Sequence, residues 1–122
     1  MSLLVVFGVG ALGGVGAVAR FLLDAQVTRR LGRTFPYGTL AVNLSGAAVL
    51  GVLAAAALGS DAYRIWGIGL IGGFTTFSTW MLESHRLAED GRAVPAALNV
   101  VVSLVAGIAA VWIGRQIGGG AP

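Results

Sequence analysis

Residues 72–80 read Gly-Gly-Phe-Thr-Thr-Phe-Ser-Thr-Trp, with three Thr, one Ser and two Gly in the middle of an apolar stretch long enough to cross a membrane. A bilayer core offers no water to backbone groups. Irregular, polar, glycine-rich backbone survives there only where it lines a cavity or binds something. In a transmembrane helix such a run reads as a break with a ligand at the break. Carbonyls released at Gly72 and Thr75 are of the kind that coordinates a hard cation, as unwound transporter helices do. The competing reading is a plain kink that glycine permits.

The elements that must hold these residues follow from charge and hydropathy. Of 122 residues, 57% are hydrophobic and 11% charged, and the mean hydropathy is +0.88. Residues 2–19, 34–60, 65–82 and 93–114 carry no charge. A helix needs roughly 20 apolar residues to span a ~30 Å core, with ~17–25 tolerated. All four stretches qualify, so the expected fold is an all-α membrane protein of one domain, residues 1–122, with helices at about 3–26, 38–58, 64–87 and 94–117. The third is expected to break around residues 72–76 and the tail, 118–122, to be disordered. Four spans use nearly the whole chain and leave no room for a soluble domain.

Glycine makes up 20 of the residues, which favours close helix–helix approach, with Gly10 and Gly14 as one pair at spacing four. Four helices alone enclose little protected space, so a homodimer is expected. Lipid is a second partner.

Several classes are excluded. Without cysteine, neither a disulfide nor a thiolate metal site is possible. All eight basic residues are Arg, scattered through loops and lacking the stripe that nucleic acid needs, so the pI near 10.7 reflects arginines at headgroup depth. Gly8-Val9-Gly10-Ala11-Leu12-Gly13 fits G-x-G-x-x-G, but the βαβ unit and the acidic residue about 20 positions on are missing. Ala17-Val18-Ala19 imitates a signal-peptidase site without a basic n-region, so the first helix is expected to be retained. His85 reads as an interfacial residue rather than a ligand.

The two loops on one side of the membrane hold Arg29, Arg30, Arg33, Arg86 and Arg92; the other side holds Arg64 and Arg115. This bias places the termini outside, but it is small enough to allow insertion both ways.

Three motifs in order carry a family likeness. Gly14-x-Gly16-Ala17-x-Ala19-Arg20, Gly38-Thr39-Leu40-x-Val42-Asn43-x-x-Gly46 and residues 72–79, with Gly91-Arg92 and Leu98-Asn99-Val100, resemble the CrcB/Fluc fluoride channels over essentially the whole chain. The resemblance implies an antiparallel, dual-topology homodimer in the inner (plasma) membrane, crossing it several times. It also implies two fluoride pores, a structural sodium ion at Gly72 and Thr75, and passive export of fluoride that entered as hydrofluoric acid. Two phenylalanines flank the ion path in the family. Here the first is Phe77, and Trp80 stands in place of the second, with an edge and an N–H donor.

The residue chemistry agrees with that resemblance. Fluoride is small and strongly hydrated, so a pore must replace its water with donors and positive partial charge. Asn43 offers an amide; Thr76, Ser78 and Thr79 offer hydroxyls. Phe77 and Trp80 sit i, i+3, where ring edges are positive. Asn99 and Ser103 extend a polar track in the fourth helix, or hydrogen-bond between helices. Arg20 snorkels by default, while the resemblance puts it at an aqueous vestibule where its charge gathers anions. No nucleophile–base pair or carboxylate pair lies within a span, so an enzyme is not expected. A small multidrug-type proton-coupled transporter would need an intramembrane carboxylate, and the first helix has none before Asp24. A purely structural membrane protein would leave Asn43 and the Thr/Ser run without a purpose.

Overall fold

Charge-free stretches bounded by arginines and acids give four long helical spans in the computed structural model, which describes residues 1–119. They are α1 (Leu3–Leu31), α2 (Tyr37–Ala55), a composite third span (Ser60–Glu89) and α6 (Ala93–Ile117). The third span consists of α3 (Ser60–Tyr63), a π-helical segment (Arg64–Ile71), α4 (Gly72–Phe74) and α5 (Ser78–Glu89). Among the described residues there is no strand.

Helix ends follow local chemistry and depart from the sequence expectation in several places. The Ser2 hydroxyl accepts from Val5 N–H at 3.2 Å and caps α1. That helix continues past residue 26 to Leu31, because Thr28 hydrogen-bonds Asp24 and Arg29 bonds Gln26 along the added turn. Arg29 and Arg30 also meet the negative end of the helix dipole. Gly32, at φ +84, ends it with an N–H bond to the Thr28 carbonyl. α2 stops at Ala55 rather than 58: Ala57 takes φ +54, a left-handed conformation that no α-helix continues. Pro36 enters it without a side-chain cap. The third span starts at Ser60, four residues earlier than expected. Gly118 and Gly119 form a closing turn after α6, and residues 120–122 of the glycine tail lie outside the described residues.

The helices meet main chain to main chain. A Cβ on Gly16 would lie 2.1 Å from the Leu70 carbonyl oxygen, and one on Gly73 would lie 2.2 Å from that of Gly13. α1 and the third span therefore touch through backbone, the close approach that small residues permit. α2 and α6 repeat the device at Gly51 and Gly114. Gly10 and Gly14, the expected contact pair, face open space within the chain; Gly13 and Gly16 make the contact instead.

Little of the apolar surface is buried inside one chain. Val42 and Asn99 are its only large fully buried side chains among the described residues. Leu4, Phe7, Phe77 and Ile108 stand out, each two-thirds exposed or more. In water this surface would be prohibitive; against lipid or another apolar chain it is the expected exterior.

Candidate functional site

The break in the third span is made by an exchange of hydrogen-bond partners. In a continuous helix the Thr76 N–H would bond the Gly72 carbonyl. Here it donates to Asn43 Oδ1 at 2.8 Å, while Asn43 Nδ2 donates to the Thr76 carbonyl, also at 2.8 Å. One side-chain amide, 33 residues away, thus satisfies both backbone groups of Thr76. Thr75 is extended (φ −82, ψ 160), and its N–H and hydroxyl both bond the Ile71 carbonyl at 2.9 and 3.0 Å. Just beyond, the Thr76 hydroxyl accepts from Thr79 N–H at 3.3 Å, which leaves its own hydrogen to donate elsewhere.

This exchange bears on the cation question. Thr76 N–H is turned to Asn43, so the Gly72 carbonyl loses its usual partner, and the extended Thr75 turns its carbonyl out of the helical ladder. Among the described residues no group of three His, Cys, Asp or Glu could hold a metal. Two neutral backbone oxygens are hard ligands of the kind sodium takes in unwound helices. They fit such an ion, but one chain supplies only part of its shell.

Two grooves open on either side of Trp80. The larger, about 500 Å³, is lined by Asn43, Gly72, Thr75, Thr76, Phe77 and Trp80 among others. The smaller, about 280 Å³, is bounded by Asn43, Trp80, Ser103 and Gly107. Asn43 and Trp80 belong to both. Phe77 and Trp80 pack edge to face, with centroids 5.6 Å apart and planes at 83°, and Phe77 is 70% exposed. The indole N–H, offered by the sequence as a second donor, is already bound to the Asn99 carbonyl at 3.0 Å.

Arg20 lies on α1 beside a third space, a cavity of about 10 Å³ bounded by Asp24, Thr39, Val42, Thr76 and Thr79. That is room for about one water-sized particle. The Arg20 Nε is buried there without a hydrogen-bond partner. The structure therefore places Arg20, Thr76 and Thr79 around the small cavity, and Asn43, Thr76, Phe77, Trp80 and Ser103 along two grooves whose walls are mostly apolar. Ser78 is exposed at the start of α5 and lines none of them, and Asn99 is fully buried between α5 and α6.

Three polar residues at this site went unassigned in the sequence. Thr39, 2% exposed, lines the small cavity, and Glu83 sits beside Thr39, Asp24 and Arg86. Ser84 is buried against Asn99. Thr39 stands inside the Gly38-Thr39-Leu40 motif, and Glu83 is four residues after Thr79, so spacing on one helical face was the available signal. Ser84 carried none.

A family profile described as "CrcB-like protein, Camphor Resistance (CrcB)" matches residues 7–115. A relative from Mycobacterium tuberculosis (strain H37Rv), named "Fluoride-specific ion channel FluC 2", is 57% identical over 110 residues, covering 90% of this chain and 87% of its own. "Fluoride-specific ion channel FluC" of Geobacter sulfurreducens is 43% identical over 89% of this chain and 92% of its own. "Fluoride-specific ion channel FluC 1" of Symbiobacterium thermophilum is 39% identical over 92% and 95%.

Proposed function

The chain belongs to the CrcB family, and on that premise we propose that it is a passive, fluoride-selective ion channel of the inner membrane that lets cytoplasmic fluoride out. The carrying observation is 57% identity, over 90% of the chain, to a relative named as a fluoride-specific ion channel. An ion channel is not an enzyme, and no catalytic step is required of any residue.

The pathway runs through the small polar cavity and along the two grooves around the break. Arg20 draws anions toward the small cavity by its charge. The Thr76 and Thr79 hydroxyls supply donors as water is shed, and Ser78, outside these spaces at the exposed start of α5, offers a further hydroxyl where the ion leaves them. The second Asn43 N–H remains for the ion after the first is given to Thr76. Phe77 and Trp80 contribute positive ring edges, and Ser103 donates from the second groove. Asn99 reaches the pathway only through its contact with Trp80.

The active assembly is an antiparallel homodimer with two such pathways, its subunits inserted in opposite orientations. The grooves lack a wall on one side, and the exposed Phe77 needs a surface to cover it. The Gly72 and Thr75 carbonyls of the two subunits would hold a structural sodium ion, whose charge would fix the two breaks against each other. Reconstituted in liposomes, the protein should empty fluoride and retain chloride, as read by ion-selective electrodes. Vesicles that keep their fluoride would overturn the reading.

A further inference from the structure

Three residues on two helices form a closed set of hydrogen bonds that the pathway itself does not need. Trp80 Nε1 donates to the Asn99 carbonyl at 3.0 Å, and Asn99 Nδ2 donates to Ser84 Oγ at 2.8 Å. Ser84 in turn donates to the Trp80 carbonyl at 2.9 Å, and a longer contact of 3.5 Å joins Asn99 Nδ2 to the same carbonyl. Both the side chain and the backbone of residue 80 are therefore tied to α6. Asn99 is 0% exposed and its Oδ1 has no partner. An orphaned buried acceptor works against stability. The amide is better explained by what it positions than by what it stabilises.

From this arrangement we infer that Ser84 and Asn99 are positioning residues for Trp80: their side chains hold the carbonyl of residue 80 against α6, which keeps the indole N–H on the Asn99 carbonyl and leaves only its hydrocarbon edge for the grooves. The inference rests on the fluoride reading above. The indole is an aromatic with a hydrogen-bonding handle, and a buried handle of this kind finds a partner. An unanchored indole could swing its N–H into the groove and hold an anion too tightly, and conduction requires binding weak enough to release. A phenyl ring at this position has no N–H and needs no such anchor. The bonds to the carbonyl of residue 80 would persist with phenylalanine, so what is specific to the tryptophan is the N–H that their loss sets free.

The test is a double-mutant cycle on fluoride efflux from liposomes. Ser84→Ala removes two hydrogen bonds and should slow efflux on the order of three- to tenfold. Ser84→Thr, which keeps the hydroxyl, should restore it. In a Trp80→Phe background, Ser84→Ala should cost clearly less, because a phenyl ring has no N–H to set free. Equal losses in both backgrounds, or no loss beside Trp80, would overturn the positioning role. A second readout is independent of transport. With Trp66 and Trp112 replaced by Phe, the long-wavelength edge of the near-ultraviolet circular dichroism, beyond the bands of Tyr37 and Tyr63, reports Trp80 alone, and Ser84→Ala should weaken it. An unchanged spectrum counts against the inference. Failure of the unmutated protein to pass fluoride counts only against the channel reading, because the spectrum still tests the anchor.

Discussion

At the scale of single residues, Asn43 does two jobs that one substitution separates. Asn43→Asp keeps an acceptor for Thr76 N–H but sets an anionic oxygen against the Thr76 carbonyl and into the ion's route. Two unit charges at ~4 Å repel by about 4 kcal/mol at an effective dielectric near 20, a slowing of roughly 10³. Fluoride efflux should collapse while the gel-filtration profile is retained; flux near that of the unmutated protein would remove Asn43 from the pathway. Phe77→Ile conserves bulk and loses the positive edge, so efflux should fall at least tenfold, about 1.4 kcal/mol or more of transition-state stabilisation. Normal conduction in that variant would end the aromatic-contact mechanism. Trp80→Phe should hold or raise flux, because the indole N–H is already committed to α6.

At the scale of elements, the decisive contacts are glycine against backbone. Gly16→Ala drives a Cβ to 2.1 Å from the Leu70 oxygen and 2.8 Å from the Phe74 nitrogen, so the whole third span must shift. Overpacking of this kind costs about 1–3 kcal/mol, and the melting temperature in detergent should drop accordingly. Gly10→Ala meets nothing within 4 Å and should be neutral or mildly stabilising in the same measurement. A Gly16→Ala protein as stable as its parent would mean that the α1 contact is looser than described. Much of this architecture was legible beforehand. Four charge-free stretches gave four spans, and the cluster at 72–80 gave the break. The π-helical turn over Arg64–Ile71 was not legible: apolar residues mixed with glycines carry no periodicity that separates it from an α-helix. Nor were the Asn43–Thr76 and Trp80–Asn99 pairs, which join residues 33 and 19 apart through tertiary packing. Each polar residue announced a need for partners; only the fold says which one answers.

At the scale of the whole molecule, Gly72 separates the chain from its assembly. A Cβ there meets only the Gly67 oxygen, at 4.0 Å, and the backbone is ordinary helix (φ −60, ψ −39). One subunit folded alone would accept Gly72→Val. A loss of dimer or of flux in that variant therefore reports on what lies outside the chain, a second subunit or a sodium ion. We expect such a loss, with Thr75→Ser mild because the ligand is a backbone oxygen. Exchanging sodium for a large organic cation should likewise lower dimer stability or flux, since a ligand bound only to the assembly stabilises it by mass action. Indifference to sodium, with a benign Gly72→Val, would reduce the break to a kink.

The amide clamp on Thr76 also bears on how the chain is made. A third span that entered the bilayer alone and already broken would carry the N–H and C=O of Thr76 into hydrocarbon unmet, at several kcal/mol for each group. Its partner, Asn43, lies on α2, which emerges from the ribosome first. Synthesis in this order means that the receptor for the break is already waiting when the break arrives. A circularly permuted chain that began with the third span would reverse the sequence of events, and its insertion, rather than its final stability, is where the reversal should be felt.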